Sequence, residues 1–289
     1  KGFGGDGGPA KQAKLKGPMA VALDKAGNIY IADYGNRRIR KVSAATGNIS
    51  TIAGTGNYGP YNGDGIAATL ANLFETTGIA VDTAGNVYFS HLGDMRVRKI
   101  DKTSGFISTV AGTGTAGYNG DNIAANTDQL NFPYGLAFDK LNNLYVADKD
   151  NYRIRKISLA TGSITTVAGN GTYGNGGDGN PATSANIKEA WDVDVDTSGN
   201  IYIADRFDNT IRKVDISSII HTVAGTGTSG YSGDGGLATN AMLSACSGVV
   251  ANDCGGFYIN DRTNSRIRKV SSYNFSATSA DAKCFAACY

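Results

Sequence analysis

An all-β fold made of five similar units is what this sequence predicts, and three observations carry that expectation. Glycine is very abundant at 40 of 289 residues while proline is scarce at 5, a profile of many short strands joined by tight turns. The block "GNIYIADYGNRRIRKV" at Gly27 returns as "GNVYFSHLGDMRVRKI" at Gly85, "NNLYVADKDNYRIRKI" at Asn142, "GNIYIADRFDNTIRKV" at Gly199 and "GGFYINDRTNSRIRKV" at Gly255. Its anchors Ile29, Val87, Leu144, Ile201 and Phe257 lie 58, 57, 57 and 56 residues apart. Each unit also holds four short strand-like runs. Five units of four antiparallel strands make a β-propeller, whose blades hide their sheet edges by packing radially.

The elements follow in order within a unit. In the first, the strand runs are Met19–Asp24, Asn28–Asp33, Arg38–Val42 and Asn48–Ala53. The first two are joined by Asp-Lys-Ala-Gly-Asn, in which Asp caps the turn and Gly supplies a positive φ. A helical array is the rival for a repeat of this period. It fails because β-branched residues and Tyr fill the periodic positions and Gly interrupts every ten or so residues. Asp6, Asp64, Asp121, Asp178 and Asp234 keep the same beat in Gly-Asp loops such as "GGDGG" and "NGDGI". In the last unit the outer run "NFSATS" at Asn274 matches poorly, so the propeller is set at residues 1–276 and a Cys-containing tail at 277–289.

The recurring pattern "GDGG-A…A.L..P.GVA.D..GN.YIAD..N.RIRKV…I.TVAGTG" resembles the NHL repeat, in the variant common in secreted and cell-surface proteins. The resemblance implies a β-propeller and covers essentially all but the tail. Families with this repeat usually close with six blades, so a six-bladed ring with one blade missing from this chain is the alternative to a five-bladed one.

Composition narrows the function. A formal charge of +2 argues against a dominant phosphate-binding surface. Cytoplasmic relatives of the repeat bind RNA through a basic face. Here the pairs Arg40-Lys41, Arg98-Lys99, Arg155-Lys156, Arg212-Lys213 and Arg268-Lys269 are spread evenly around the ring, which predicts a solvated rim with Asp partners and no nucleic-acid partner. No apolar run reaches the length of a membrane span. Lys1 is not an initiator and no signal peptide is seen, so a processed chain or a fragment is expected. Cys246, Cys254, Cys284 and Cys288 are confined to the C-terminal end, which predicts disulfides there and an oxidising compartment, with connectivity left open. Asn48, Asn170 and Asn274 head N-x-Ser/Thr triplets and are candidate glycosylation sites.

Candidate sites are weighed against structural roles. Asp33, Asp148, Asp205 and Asp261 of the "YIAD" block recur in almost every unit, so they are expected to accept hydrogen bonds from turn amides and from the Arg five residues on. His91 replaces this Asp in the second unit, as a tolerated variant or an acid–base group. Phe3, Tyr61, Tyr118 and Tyr231, three residues before the Gly-Asp loop aspartates, are expected to wedge between blades. The Gly-Asp loops lack the ligands of a calcium loop and the Lys of a phosphate loop, so they are read as turns.

One stretch breaks the repeat. "AWDVDVD" at Ala190 carries Asp192 where the other units have Ala20, Gly78, Gly135 and Gly248, and Asp194 where they have Ala22, Ala80, Ala137 and Val250. Both should lie on the innermost strand of blade four, near the axis, with Glu189 and Trp191 at its entry beside Tyr134 of blade three. This group is the candidate ligand site, for a cation such as calcium or for a sugar, against the simpler role of hydrogen-bonding a neighbouring blade. No cofactor is otherwise expected. The function this points to is a noncatalytic extracellular or cell-surface module for protein or glycan contacts, possible self-assembly into a filament included. The alternative is a metal-dependent lyase or lactonase-like propeller enzyme with its site at the channel mouth of blade four.

Overall fold

The structure is a computed structural model that describes residues 2–252 and 255–271. Among them, five antiparallel sheets form the five blades of an all-β propeller. Blade one comprises Ala20–Leu23, Ile29–Asp33, Arg38–Val42 and Ile49–Ala53, numbered here from the axis outward. Blade two comprises Thr76–Val81, Val87–His91, Arg96–Ile100 and Phe106–Ala111, with a short outermost strand Ile66–Ala67. Blade three repeats this with Pro133–Phe138, Asn143–Asp148, Arg153–Ser158, Ser163–Ala168 and Ile123–Ala124. Blade four is Ala190–Val195, Ile201–Asp205, Thr210–Val214 and Ile220–Ala224. Blade five shows Cys246–Ala251, Phe257–Asp261 and Arg266–Val270; its expected outer strand at Asn274 and the tail at 277–289 lie outside the described residues.

Local chemistry explains the inner hairpin. Asp24 accepts the Ala26 and Asn28 amides at 2.9 Å each and the Asn28 side chain at 2.7 Å, while Gly27 takes a φ of 79°. The turn is an Asx turn closed by a residue free of the left-handed penalty. The hydroxyl of Tyr30 then donates back to Asp24 at 3.0 Å. Asp82, Asp139 and Asp196 repeat the arrangement with Tyr88, Tyr145 and Tyr202.

The third strand departs from expectation. The Arg of each Arg-Lys pair is not solvated: Arg40, Arg98, Arg155 and Arg212 are fully buried. Each pairs with the aspartate of its Gly-Asp loop, Asp6 at 2.5 Å, Asp64 at 2.8 Å, Asp121 at 3.2 Å and Asp178 at 2.5 Å. The half-buried Arg268 pairs with Asp234 at 2.5 Å. Alternation explains the error, since a strand sends neighbouring Arg and Lys to opposite faces. Phe3, Tyr61, Tyr118 and Tyr231 stack on these guanidiniums and on Arg38, Arg96, Arg153 and Arg266. They are cation–π lids on the blade itself. The Gly-Asp loop is therefore a clamp, and its aspartate an ion-pair partner as well as a turn residue.

Inner strands pack one against the next from blade one to blade five, burying Ile, Val, Leu and Tyr between blades. Among the described residues, the two end blades each leave a flank exposed. Val21 of blade one is 62% exposed, whereas its counterparts Ile79, Leu136, Val193 and Val249 are buried at 2–7%. On blade five, Ile267 is 69% exposed where Ile39, Val97, Ile154 and Ile211 are at 0%, and Tyr258 is 41% exposed where Tyr202 is at 1%.

Candidate functional site

The repeated aspartates are latches at the start of each blade. Asp33 accepts the Lys16 amide at 2.9 Å and the Asn36 side chain at 2.8 Å. Asp148 takes the Asn131 amide and Asn151 at 2.7 Å each, Asp205 the Lys188 and Glu189 amides, and Asp261 the Ser244 amide. The guanidinium that reaches them lies seven residues on, not five: Asp33–Arg40 is 3.3 Å, Asp148–Arg155 and Asp261–Arg268 3.6 Å. The Arg five residues on donates instead to backbone carbonyls, as Arg38 does to Asn36 and Thr55. His91 does the aspartate's work. Its Nε2 accepts the Phe74 amide at 2.5 Å and its Nδ1 lies 3.0 Å from Asp94, so this buried imidazole is engaged on both sides.

Asp192 and Asp194 bridge blades four and five. Asp192 Oδ2 accepts the Val249 amide at 3.1 Å, and Asp194 Oδ2 the Ala251 amide at 2.8 Å, both from the inner strand of blade five. On the other side the Asp192 carboxylate fills the space over Gly135 of blade three. A Cβ there would collide with the carboxylate and come within 2.6 Å of the Asp192 Cα. Burial pushes the Asp192 carboxyl up to about 7 and that of Asp194 to about 6, against the hydrogen bonds from blade five, which pull them down.

Around them opens a pocket of about 480 Å³ on the axis, lined by all five inner strands. Trp191 and Tyr134 meet there with ring centroids 4.6 Å apart, tilted by 36°. The same register shift recurs in the inner strands of blades two to five, so this bulge belongs to the repeat, and Tyr134 and Trp191 occupy it in blades three and four. Glu189 is buried and accepts the Trp191 indole N–H at 2.7 Å and Lys149 at 3.0 Å, with Arg206 at 3.5 Å. Arg206 lies 4.0 Å from the Trp191 ring and Arg262 5.6 Å from it. The structure thus gathers Tyr134, Glu189, Trp191, Asp192 and Asp194, and leaves His91 in the blade-two turn. Sequence reasoning missed Lys149, Arg206, Arg262 and Asn260. The signal was there: the residue after the latch acid reads Tyr34, Leu92, Lys149, Arg206 and Arg262, so charge gathers on blades three to five.

The remaining expectations fall elsewhere. Cys246 is a buried free thiol whose Sγ lies 3.3 Å from the Thr210 carbonyl, between blades four and five, which corrects its assignment to a disulfide. Cys254, Cys284 and Cys288 lie outside the described residues, as does Asn274. Asn48 and Asn170 are exposed, and their side-chain amides donate to the Gly7 and Ser184 carbonyls. Among the described residues no group of three or more His, Cys, Asp or Glu is placed to hold a metal, and no helix is long and apolar enough to cross a membrane.

Comparison with known proteins agrees with this architecture. The NHL repeat family model matches residues 130–157. Protein SUPPRESSOR OF QUENCHING 1, chloroplastic, of Arabidopsis thaliana is 24% identical over 91% of this chain, and Teneurin-3 of Danio rerio 30% identical over 84%. The chain spans 26% and 10% of the lengths of these relatives. Among solved structures, an auxiliary nutrient binding protein from Bacteroides ovatus superposes with a TM-score of 0.60 at 17% identity, covering 90% of this chain and 60% of that one. A streptogramin B lyase superposes at 0.54 and 13% identity, covering 89% and 70%. At such identities the likeness is one of fold. Five repeats, five blades and the family match agree: the chain is an NHL-repeat β-propeller.

Proposed function

We propose that this propeller is a noncatalytic binding module of the cell exterior, contacting a protein or glycan partner at the channel mouth of blades three to five. The observation that carries the reading is the break in the repeat at Trp191, where two aromatics and three cations are set on a rigid, hydrogen-bonded frame. Repeat proteins present partners on the face where units differ. The side chains that an enzyme of this shape would need are engaged: Glu189 by three donors, His91 by two partners, and Asp192 and Asp194 by backbone amides. The reading calls for no cofactor. The exposed Asn48 and Asn170, both heading N-x-Ser/Thr triplets, support an extracellular location. RNA is not proposed, because the recurring arginines are consumed within the blades. The test is an array of glycans and extracellular-matrix proteins probed with the wild type and Trp191→Ala. Binding by the wild type that the variant loses, at an unchanged melting temperature, supports it; identical profiles count against it.

A further inference from the structure

Resting on the binding-module reading, we propose that the axial pocket takes one neutral pyranose sugar. The ring's C–H face lies against the Tyr134–Trp191 pair, and its hydroxyls are shared between Arg262, Asn260 and the carboxylates of Asp192 and Asp194.

Three features point there. The first is charge. The pocket wall carries both Arg262 and the acids Asp192 and Asp194, with Arg206 and Lys149 close to Trp191 and Tyr134. An ion of either sign would meet like charge, whereas a polyol offers donors to the carboxylates and acceptors to the guanidinium at once. Arg262 makes no ion pair among the described residues; its guanidinium faces the Trp191 ring. The second is the composition of the wall. Blades one and two line it mainly with Pro18, Met19, Val21 and Ile79, and blades four and five set Asp192, Asp194, Ser247, Asn260 and Arg262 among Trp191, Val193 and Val249, a mixed wall that suits the apolar face and polar rim of a sugar ring. The third is preorganisation. The indole N–H is fixed on Glu189, and Glu189 on Lys149 and Arg206, so little side-chain entropy is lost when a ligand docks. A volume of about 480 Å³ is in the range of small-molecule sites.

The experiment is saturation-transfer NMR with the methyl glycosides of glucose, galactose and mannose, run beside glucuronate and calcium chloride as charged probes. At least one neutral glycoside is expected to bind. Its affinity should drop about tenfold in Trp191→Ala, the effect of one lost stacking platform, and also fall in the surface variant Arg262→Ala, whose melting temperature should match the wild type. Glucuronate binding tighter than every neutral glycoside overturns the proposal, as does binding that survives both substitutions or no binding at all. If no sugar binds while the glycan and matrix-protein array yields a Trp191-dependent protein partner, the sugar falls and the binding module stands. If neither appears, both fall.

Discussion

Among single residues, the two carboxylates of blade four act as strand-to-strand connectors, each supplying an acceptor to an amide of blade five. Their raised titration has a definite consequence for stability. Ordinary Asp titrates near 3.8, and the fold raises Asp192 to about 7 and Asp194 to about 6, so the folded chain binds these protons more tightly than the unfolded one. That contribution is complete below about pH 4 and is lost as pH rises through 6 to 7. The difference in melting temperature between pH 5 and pH 8 should therefore shift toward relative stability at pH 8 when both are replaced by Asn. Calorimetry on wild type and Asp192→Asn/Asp194→Asn at the two pH values checks this; an unchanged difference contradicts it. That the stretch was exceptional could be read from sequence. That the carboxylates point at blade five could not, because strand alternation fixes a face and not the neighbour's amide register. His91 carries the same lesson: its replacement of Asp was visible, but its use as an acceptor for the Phe74 amide is a matter of geometry.

Among the elements, the third strand of each blade is held by a buried guanidinium between acids from different segments. Arg155 is the fullest case, with Asp128 at 2.8 Å, Asp121 at 3.2 Å and Asp148 at 3.6 Å. Asp128 and Asp148 are themselves fully buried. Removing the cation leaves these acids without compensation, so Arg155→Met should destabilise the fold by about 3–5 kcal/mol. Denaturant unfolding measures it, and a loss of well under 1 kcal/mol would show that the pairs are incidental. Strand positions, turn residues and repeat phase were all legible, because each rests on a local pattern of Gly, Asn, Asp and β-branched residues. The arginine clamp was misread as a solvated rim because the Arg and the loop Asp lie about 34 residues apart, a distance over which composition says nothing of pairing.

Across the propeller as a unit, five blades share one rule of contact, the leading flank of one against the trailing flank of the next. The exposed flanks of blades one and five follow from it. Ile211 and Ile267 occupy the same position in their blades, yet one is fully buried and the other 69% exposed. Truncation of each to Ala should separate them: Ile211→Ala by about 2–4 kcal/mol through the cavity it leaves, Ile267→Ala by less than about 0.5 kcal/mol. Equal losses would mean that the blade-five flank is covered in solution. Blade count was legible from the repeat, and the exposed flanks only from coordinates.

The acids that break the repeat in blade four join two blades, and in the proposed reading they do so without a metal ion, with the aromatic mouth above them for a partner. Thermal melting of the wild type and of Asp192→Ala/Asp194→Ala, each in calcium and in chelator, puts this to the test. The wild type is expected to melt at the same temperature in both, and the double substitution to shift the midpoint by the same amount with or without the ion. A wild-type protein stabilised by calcium, with that stabilisation lost in the double variant, would contradict it.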